Sequence, residues 1–139
     1  MQIRPFHLSD TEAVIELWQA CDLIRPWNDP RKDIRRKVDA QPELFLVGEV
    51  DGKIVAALMV GYDGHRGWLN YLGVSPEHRR NGCGREIVEA AEILLRARGC
   101  AKINLQVRST NLEVIEFYRR LGYVQDEVVS FGKRLEHDG

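Results

Sequence analysis

Arg79-Arg80-Asn81-Gly82-Cys83-Gly84 separates an apolar stretch, Gly67-Trp68-Leu69-Asn70-Tyr71-Leu72-Gly73-Val74, from an amphipathic one that runs from Arg85 to Arg98 and stops at Gly99. The first stretch reads as a strand and the second as a helix. Two glycines two residues apart let the backbone turn tightly and bring its amides close to a ligand. Those amides are also the unpaired donors of a helix N-terminus, where the helix dipole favours an anion. A basic, glycine-rich strand-to-helix loop therefore reads as a cradle for a pyrophosphate. A plain tight turn remains the alternative, and the flanking sequence has to decide between them.

The 139 residues fit one domain, expected to span 1–139, and suffice to bury a core without staples. Hydrophobic residues make up 44% and charged residues 29%, the balance of an ordinary globular enzyme. A net charge of −1 supplies no global field to recruit nucleic acid or an anionic membrane, so an anion site must be local. Arg79, Arg80 and Arg85 are local. No apolar run approaches the roughly 18 residues of a membrane span, and Met1-Gln2-Ile3-Arg4-Pro5 has no signal-peptide character. Cys21, Cys83 and Cys100 show neither metal-ligand nor CxxC spacing, so no metal site is expected. An odd cysteine count without a secretion signal predicts reduced thiols and a cytoplasmic location.

Along the chain, Ile3–Pro5 reads as a short strand. Ser9 with Glu12 forms a capping box before a helix whose buried face is Val14, Leu17, Trp18 and Cys21, ending near 22–24. A loop from Arg25 leads to Asp29, which can cap a polar helix over 30–39 with Pro30 in its first position. Leu44–Val50 and Ile54–Tyr62 read as a hairpin across Asp51-Gly52. Trp68–Val74 adds a third antiparallel strand. A strand over 102–107 after the Arg85–Arg98 helix implies a right-handed parallel crossover. Thr110 with Glu113 should open a last helix through Leu121, and Val124–Leu135 should supply one or two closing strands. The expected fold is an α/β mixed sheet, an antiparallel meander followed by a parallel pair in the middle, with helices on both faces.

This order of elements resembles the GCN5-related N-acetyltransferase (GNAT) family over nearly the whole chain. Leu72-Gly73-Val74-Ser75-Pro76-Glu77-His78-Arg79-Arg80-Asn81-Gly82-Cys83-Gly84 is similar to its acetyl-CoA motif, with Arg79, Gly82 and Gly84 in the defining positions. Asn111-Leu112-Glu113-Val114-Ile115-Glu116-Phe117-Tyr118-Arg119-Arg120-Leu121-Gly122-Tyr123 resembles a second family segment, with Val114 where alanine is usual. The stretches 21–30 and 61–67 look like the bacterial YpeA-type subgroup.

The resemblance implies acetyl transfer from acetyl-CoA, without a metal, to an amine acceptor, a small molecule or a peptide or protein. The amides of Arg80, Asn81, Gly82, Cys83, Gly84 and Arg85, helped by the Arg79 side chain, would hold the diphosphate. A bulge at Leu72, Gly73 and Val74 would splay the strand so that pantetheine pairs with its free amides, the Leu72 amide polarising the thioester carbonyl. Asn111 would bind the pantetheine arm. Tyr118, seven residues on and so on the same helix face, would protonate the leaving thiolate; the bland reading of Tyr118 is a core aromatic beside Phe117 and Leu121. Cys83, at a helix start, makes a covalent acetyl-cysteine route conceivable, but the resemblance argues for direct transfer.

The acceptor side is less defined. Trp27 and Asp29, with Asp63 or His65, are expected to line the acceptor pocket; Trp27 as a buried loop anchor and Asp63-Gly64-His65 as an ordinary turn are the alternatives. Glu49, Asp63 and His65 are the candidate proton acceptors, and Asn70 could only order a water. A coenzyme-A-binding module without turnover is the competing function. Sheet edges and exposed aromatics leave room for a homodimer.

Overall fold

The six residues Val55 to Val60 are all buried, and they form the centre of the sheet. A computed structural model describes residues 1–138. Five strands, β1 (Gln2–Pro5), β2 (Phe45–Val50), β3 (Lys53–Tyr62), β4 (Gly67–Val74) and β5 (Ile103–Leu105), lie in sequence order, antiparallel up to β4 and parallel between β4 and β5. The mixed sheet is the one expected, but the parallel pair stands at its edge. Asp51 (φ 51°) and Gly52 (φ 78°) make the tight turn between β2 and β3, as the Asp-Gly pair dictates.

Alternation along the strands divides the core between two faces. Phe45, Val47, Ala57 and Met59 pack with Val14, Leu17 and Trp18 of α1 (Thr11–Ala20) and Ile34 of α2 (Pro30–Ala40). Leu46, Leu58 and Val60 point to the opposite face, which α3 (Cys83–Ala97) covers with Ile87, Val88, Ala91 and Leu95. Gly67 shows why this layer is tight: a Cβ there would come within 2.8 Å of a Leu95 methyl.

Several boundaries differ from the sequence reading. Ser9 does not cap α1; a 3-10 turn over Leu8–Asp10 precedes it, and the Asp10 carboxylate accepts from the His7 amide at 2.8 Å. Asp29 does cap α2, accepting from the amides of Arg31 (3.0 Å) and Lys32 (3.3 Å) ahead of Pro30 at N1. Helix α3 begins at Cys83, inside the glycine loop, two residues before Arg85.

Residues 1–105, with Asp138, form one compact unit and residues 106–137 another. In the second, α4 (Leu112–Arg120) is capped by Asn111 instead of Thr110, and Gly122 (φ 93°) closes it. No strand is found over 124–137 among the described residues, which corrects the expected closing strands. Val124, Val128, Val129, Phe131 and Leu135 are exposed, so the apolar pattern that suggested strands buries nothing. Likewise β5 stops at Leu105 instead of 107, because its ladder with β4 ends at the Leu69–Leu105 pair.

Two polar clusters fix elements to the sheet. The Arg4 guanidinium on β1 meets the Asp10 carboxylate at 2.7 and 2.9 Å and Glu49 of β2 at 2.8 Å. Where β3 runs on past its last pairing with β2, Gln41 donates to the Tyr62 carbonyl (2.9 Å) and accepts from its amide (3.1 Å), while Lys37 donates to the Val60 carbonyl. Burial pushes the Lys37 ammonium down to about 8.

Asp10→Ala is expected to cost about 2–3 kcal/mol at pH 7, since it strips one of two partners from a mostly buried guanidinium. Hydrogen bonding to Arg4 holds the Asp10 carboxyl below its ordinary range. Its stabilisation is therefore complete above the unfolded value near 4 and is lost as pH falls through the lower folded value. Chemical denaturation of both proteins at pH 7 and in strong acid should show the gap closing with acidity.

Candidate acetyl-transfer site

The β4 strand carries one residue too many. Met59 pairs with Asn70 and Ala57 with Gly73, so Tyr71 and Leu72 together face Leu58. This is a β-bulge, and Tyr71 enters the left-handed region with φ 56° to make it. The bulge lies at Tyr71–Leu72, one residue earlier than the stretch Leu72–Val74 named from the sequence. Pairing with β5 has already ended at Leu69, so β4 beyond it has no partner from β5. The Ser75 amide donates to the Val55 carbonyl on β3 at 2.8 Å. Alternation counted back from Ser75 turns the Gly73 amide toward β3 as well and the Val74 amide away from it.

Gly73 is buried, and a Cβ there would lie 3.3 Å from Cys21 Sγ, a Leu23 methyl and Trp18 Cδ1. Its missing side chain thus admits the end of α1. The Val74 carbonyl accepts from Cys21 Sγ and from Arg79 Nε, both at 3.2 Å. Arg79 therefore ties the loop to the strand end that leads into it.

From there the chain rises into α3 through Arg80 (φ 67°) and Gly82 (φ 82°), the helix N-cap. No side chain caps α3; Glu86 donates to the Gly82 carbonyl, and the amides of Cys83, Gly84 and Arg85 form the open first turn. Nothing lies within 4 Å of the position a Gly82 Cβ would take. The side chains of Arg79, Arg80, Asn81 and Arg85 are exposed around it, while Cys83 is buried against the sheet. Uncapped amides, positive charge and open space fit a diphosphate. A buried Cys83 thiol is poorly placed to act as a covalent carrier.

In the second unit, Asn111 accepts from the Val114 amide at 3.3 Å, so its carbonyl serves the helix cap. Tyr118 is buried, with its ring edge-on to Phe117 (5.0 Å) and Tyr123 (5.5 Å). Burial raises its phenol above the ordinary value, so it keeps its proton throughout the neutral range.

The proposed acceptor residues separate into two places. Trp27 is 45% exposed on the connection between α1 and α2, so it is not a buried anchor. Asp29 is engaged at the N-terminus of α2. Asp63 accepts from the amides of His65 (2.8 Å) and Arg66 (2.7 Å) and from Trp68 Nε1 (3.1 Å). Those donors pull its carboxyl down to about 2. His65 is exposed on the same turn, with its Nδ1 3.5 Å from Arg66 Nη1. Five residues of strand, about 17 Å, separate this turn from Leu72. Glu49 is bound to Arg4. A residue that sequence reasoning passed over is Asp33 of α2, whose carboxylate accepts from the Tyr71 hydroxyl at 2.5 Å. No cluster of metal-binding side chains and no helix long and apolar enough to cross a membrane occurs among the described residues.

Residues 11–123 match the acetyltransferase (GNAT) family. An acetyltransferase of Sodalis glossinidius is 52% identical over 139 residues, covering 99% of this chain and 98% of the relative. Among solved structures, the ribosomal-protein-S18-alanine N-acetyltransferase of Escherichia coli superposes with a TM-score of 0.73 at 26% identity, covering 87% of this chain and 76% of that one. The aminoglycoside acetyltransferase AAC(6')-Iy, in complex with the bisubstrate analogue CoA-S-monomethyl-acetylneamine, shares the fold with a TM-score of 0.77 at 16% identity, over 96% and 97% of the two chains. The chain belongs to the GNAT family and is an acetyltransferase.

Gly82→Ala isolates the backbone requirement of the loop, because the added methyl meets nothing. It is expected to lower stability by about 1–2 kcal/mol, the cost of a left-handed non-glycine residue. Urea denaturation measures it.

Proposed function

We propose that residues 1–139 act as a single GNAT domain that transfers an acetyl group directly from acetyl-CoA to an amine. The observation that carries this reading is the uncapped, glycine-opened first turn of α3 a few residues after a bulge in β4. In it the amides of residues 80–85 hold the diphosphate, Leu72, Gly73 and Val74 offer the pantetheine a strand to pair with, and the Leu72 amide donates to the carbonyl oxygen as negative charge develops there. Bound acetyl-CoA supplies the activated acyl group; the chain aligns and polarises it. Asn111 and Tyr118 take the roles that the family resemblance gives them, with Tyr118 returning a proton to the sulfur. The exposed Trp27 supports an acceptor wall on the α1–α2 connection, where its ring face would attract an ammonium group. Asp29, and Asp63 or His65 on the turn before β4, are proposed with it on the acceptor side. The relatives' names point to both peptide and small-molecule amines, so a thiol-release screen should span N-terminal alanyl peptides, polyamines and aminoglycosides. Thiol release with none of these, alongside tight acetyl-CoA binding, would favour the non-catalytic module.

Acetyl-CoA at a hundred times its Kd is expected to stabilise the fold by about 2.7 kcal/mol, visible as a higher Tm, whereas adenosine leaves it unchanged. Gly84→Glu should abolish the effect while the apo protein still melts cooperatively, since a carboxylate in the first turn repels the diphosphate. An unchanged Tm shift in this variant would put the diphosphate elsewhere.

Tyr118→Phe is expected to lower kcat by about 10²–10⁴-fold with little change in acetyl-CoA affinity. A loss within about threefold would make Tyr118 a packing residue and leave water or acceptor as the proton source.

A further inference from the structure

Tyr71 is the strained residue of the bulge. A bulky side chain in the left-handed region is strained and persists only when its surroundings over-determine it. Two contacts do so. The Tyr71 ring stacks on Trp18 of α1, with centroids 4.2 Å apart and planes at 24°. Its hydroxyl donates to Asp33 Oδ2 on α2 at 2.5 Å. Asp33 is itself held: its other oxygen accepts from Arg36 at 3.2 Å, and Arg36 grips Asp138 at 2.8 and 2.9 Å. The Trp18 side chain is wholly buried, so the stack is fixed by the core. The hydrogen bond adds a constraint on rotation about the Tyr71 backbone that the stack does not supply.

That rotation matters because the Leu72 amide follows immediately. The peptide plane between Tyr71 and Leu72 carries this N–H, and it turns with Tyr71. Donors that stabilise a developing oxyanion act through pre-set direction, and a displacement of about 1 Å can cost about 10²-fold. We propose that Asp33 is a positioning residue for acetyl transfer: through the Tyr71 hydroxyl it locks the bulge so that the Leu72 amide points at the thioester carbonyl. The inference rests on the proposed role of that amide. Asp33 touches no reacting atom and carries no proton in this scheme. Its carboxylate is needed as a hydrogen-bond acceptor, which an asparagine carbonyl can replace. The diphosphate cradle at the start of α3 is a separate part of the site and should not sense the change.

The test is the 13C spectrum of [1-13C]acetyl-CoA bound to the full chain, which needs no acceptor. Polarisation by the Leu72 amide moves the thioester carbon downfield in the wild type. Tyr71→Phe, which keeps the ring and its stack, and Asp33→Ala should each lose most of that shift while Kd for acetyl-CoA stays within about threefold. The double variant should lose no more than either single one, because both remove the same bond. Asp33→Asn should restore most of the shift. Where an acceptor is found by thiol release, kcat should fall about 10- to 100-fold in Tyr71→Phe and Asp33→Ala, with KM for acetyl-CoA unchanged. A downfield shift retained in both variants would overturn the positioning role. Loss in Asp33→Asn equal to that in Asp33→Ala would overturn it too, showing that the charge acts and the bond does not. No binding, or no downfield shift in the wild type, would instead defeat the reading of the Leu72 amide on which the proposal stands.

Discussion

Between Asn70 and Gly73 the fourth strand carries one residue more than its partner, and the proposed site depends on that surplus. A regular β4 would keep one set of amides turned toward β3 along its whole length. The bulge reverses the alternation, so residues beyond it present the opposite set. The same irregularity comes just after the last pairing with β5, at Leu69. Strand-like donors are thereby left at the end of β4 that leads directly into the open turn of α3. The two donor groups, extended amides and helix N-terminal amides, follow one another along a dozen residues of chain, which suits a long ligand with a polar arm and an anionic end.

The sequence made much of this readable. The Asp51-Gly52 turn, Asp29 as a cap before Pro30 and the apolar run 55–60 each have a local physical cause that no distant contact needs to supply. The glycine loop was readable for the same reason. What could not be read locally was set by partners. Ser9 looked like a helix cap until Asp10, bound to Arg4, took over the entry to α1. Val124–Leu135 has strand-like composition, but strand formation needs a ladder, and composition cannot reveal whether one is offered. The bulge was expected in the right strand but one residue late, because its position depends on what can hold a strained residue. Tyr71 can be held by Trp18 and Asp33, and nothing in the sequence announces that a tyrosine will meet an aspartate thirty-eight positions earlier.

Acidic residues show the limit most clearly. Asp29, Glu49 and Asp63 were each reasonable candidates for meeting an amine. Each carboxylate is engaged within the scaffold: a helix cap, an arginine and a turn with three donors. Of the three, Asp63 shows what such engagement does: its three N–H donors fasten the turn and pull its carboxyl down by the same bonds. Asp33, set inside the basic segment Arg31-Lys32-Asp33-Ile34-Arg35-Arg36, reads in sequence as one half of surface ion pairs. Its one long-range hydrogen bond is what relates it to β4.

The pairing of Gln41 with Tyr62 concerns behaviour outside the candidate site. Past Met59, β3 continues without β2, and an extended strand in that position presents donors and acceptors that another chain can read as a template. The Gln41 carboxamide occupies one residue's worth of that template, amide and carbonyl together, and Lys37 blocks the carbonyl two residues before it. In effect α2 and the residue that caps its C-terminus supply a side-chain imitation of the missing strand. Stripping those two side chains would expose a short adhesive margin while leaving the core intact. The damage would then grow with protein concentration, appearing as light scattering long before it appeared as a lower melting temperature.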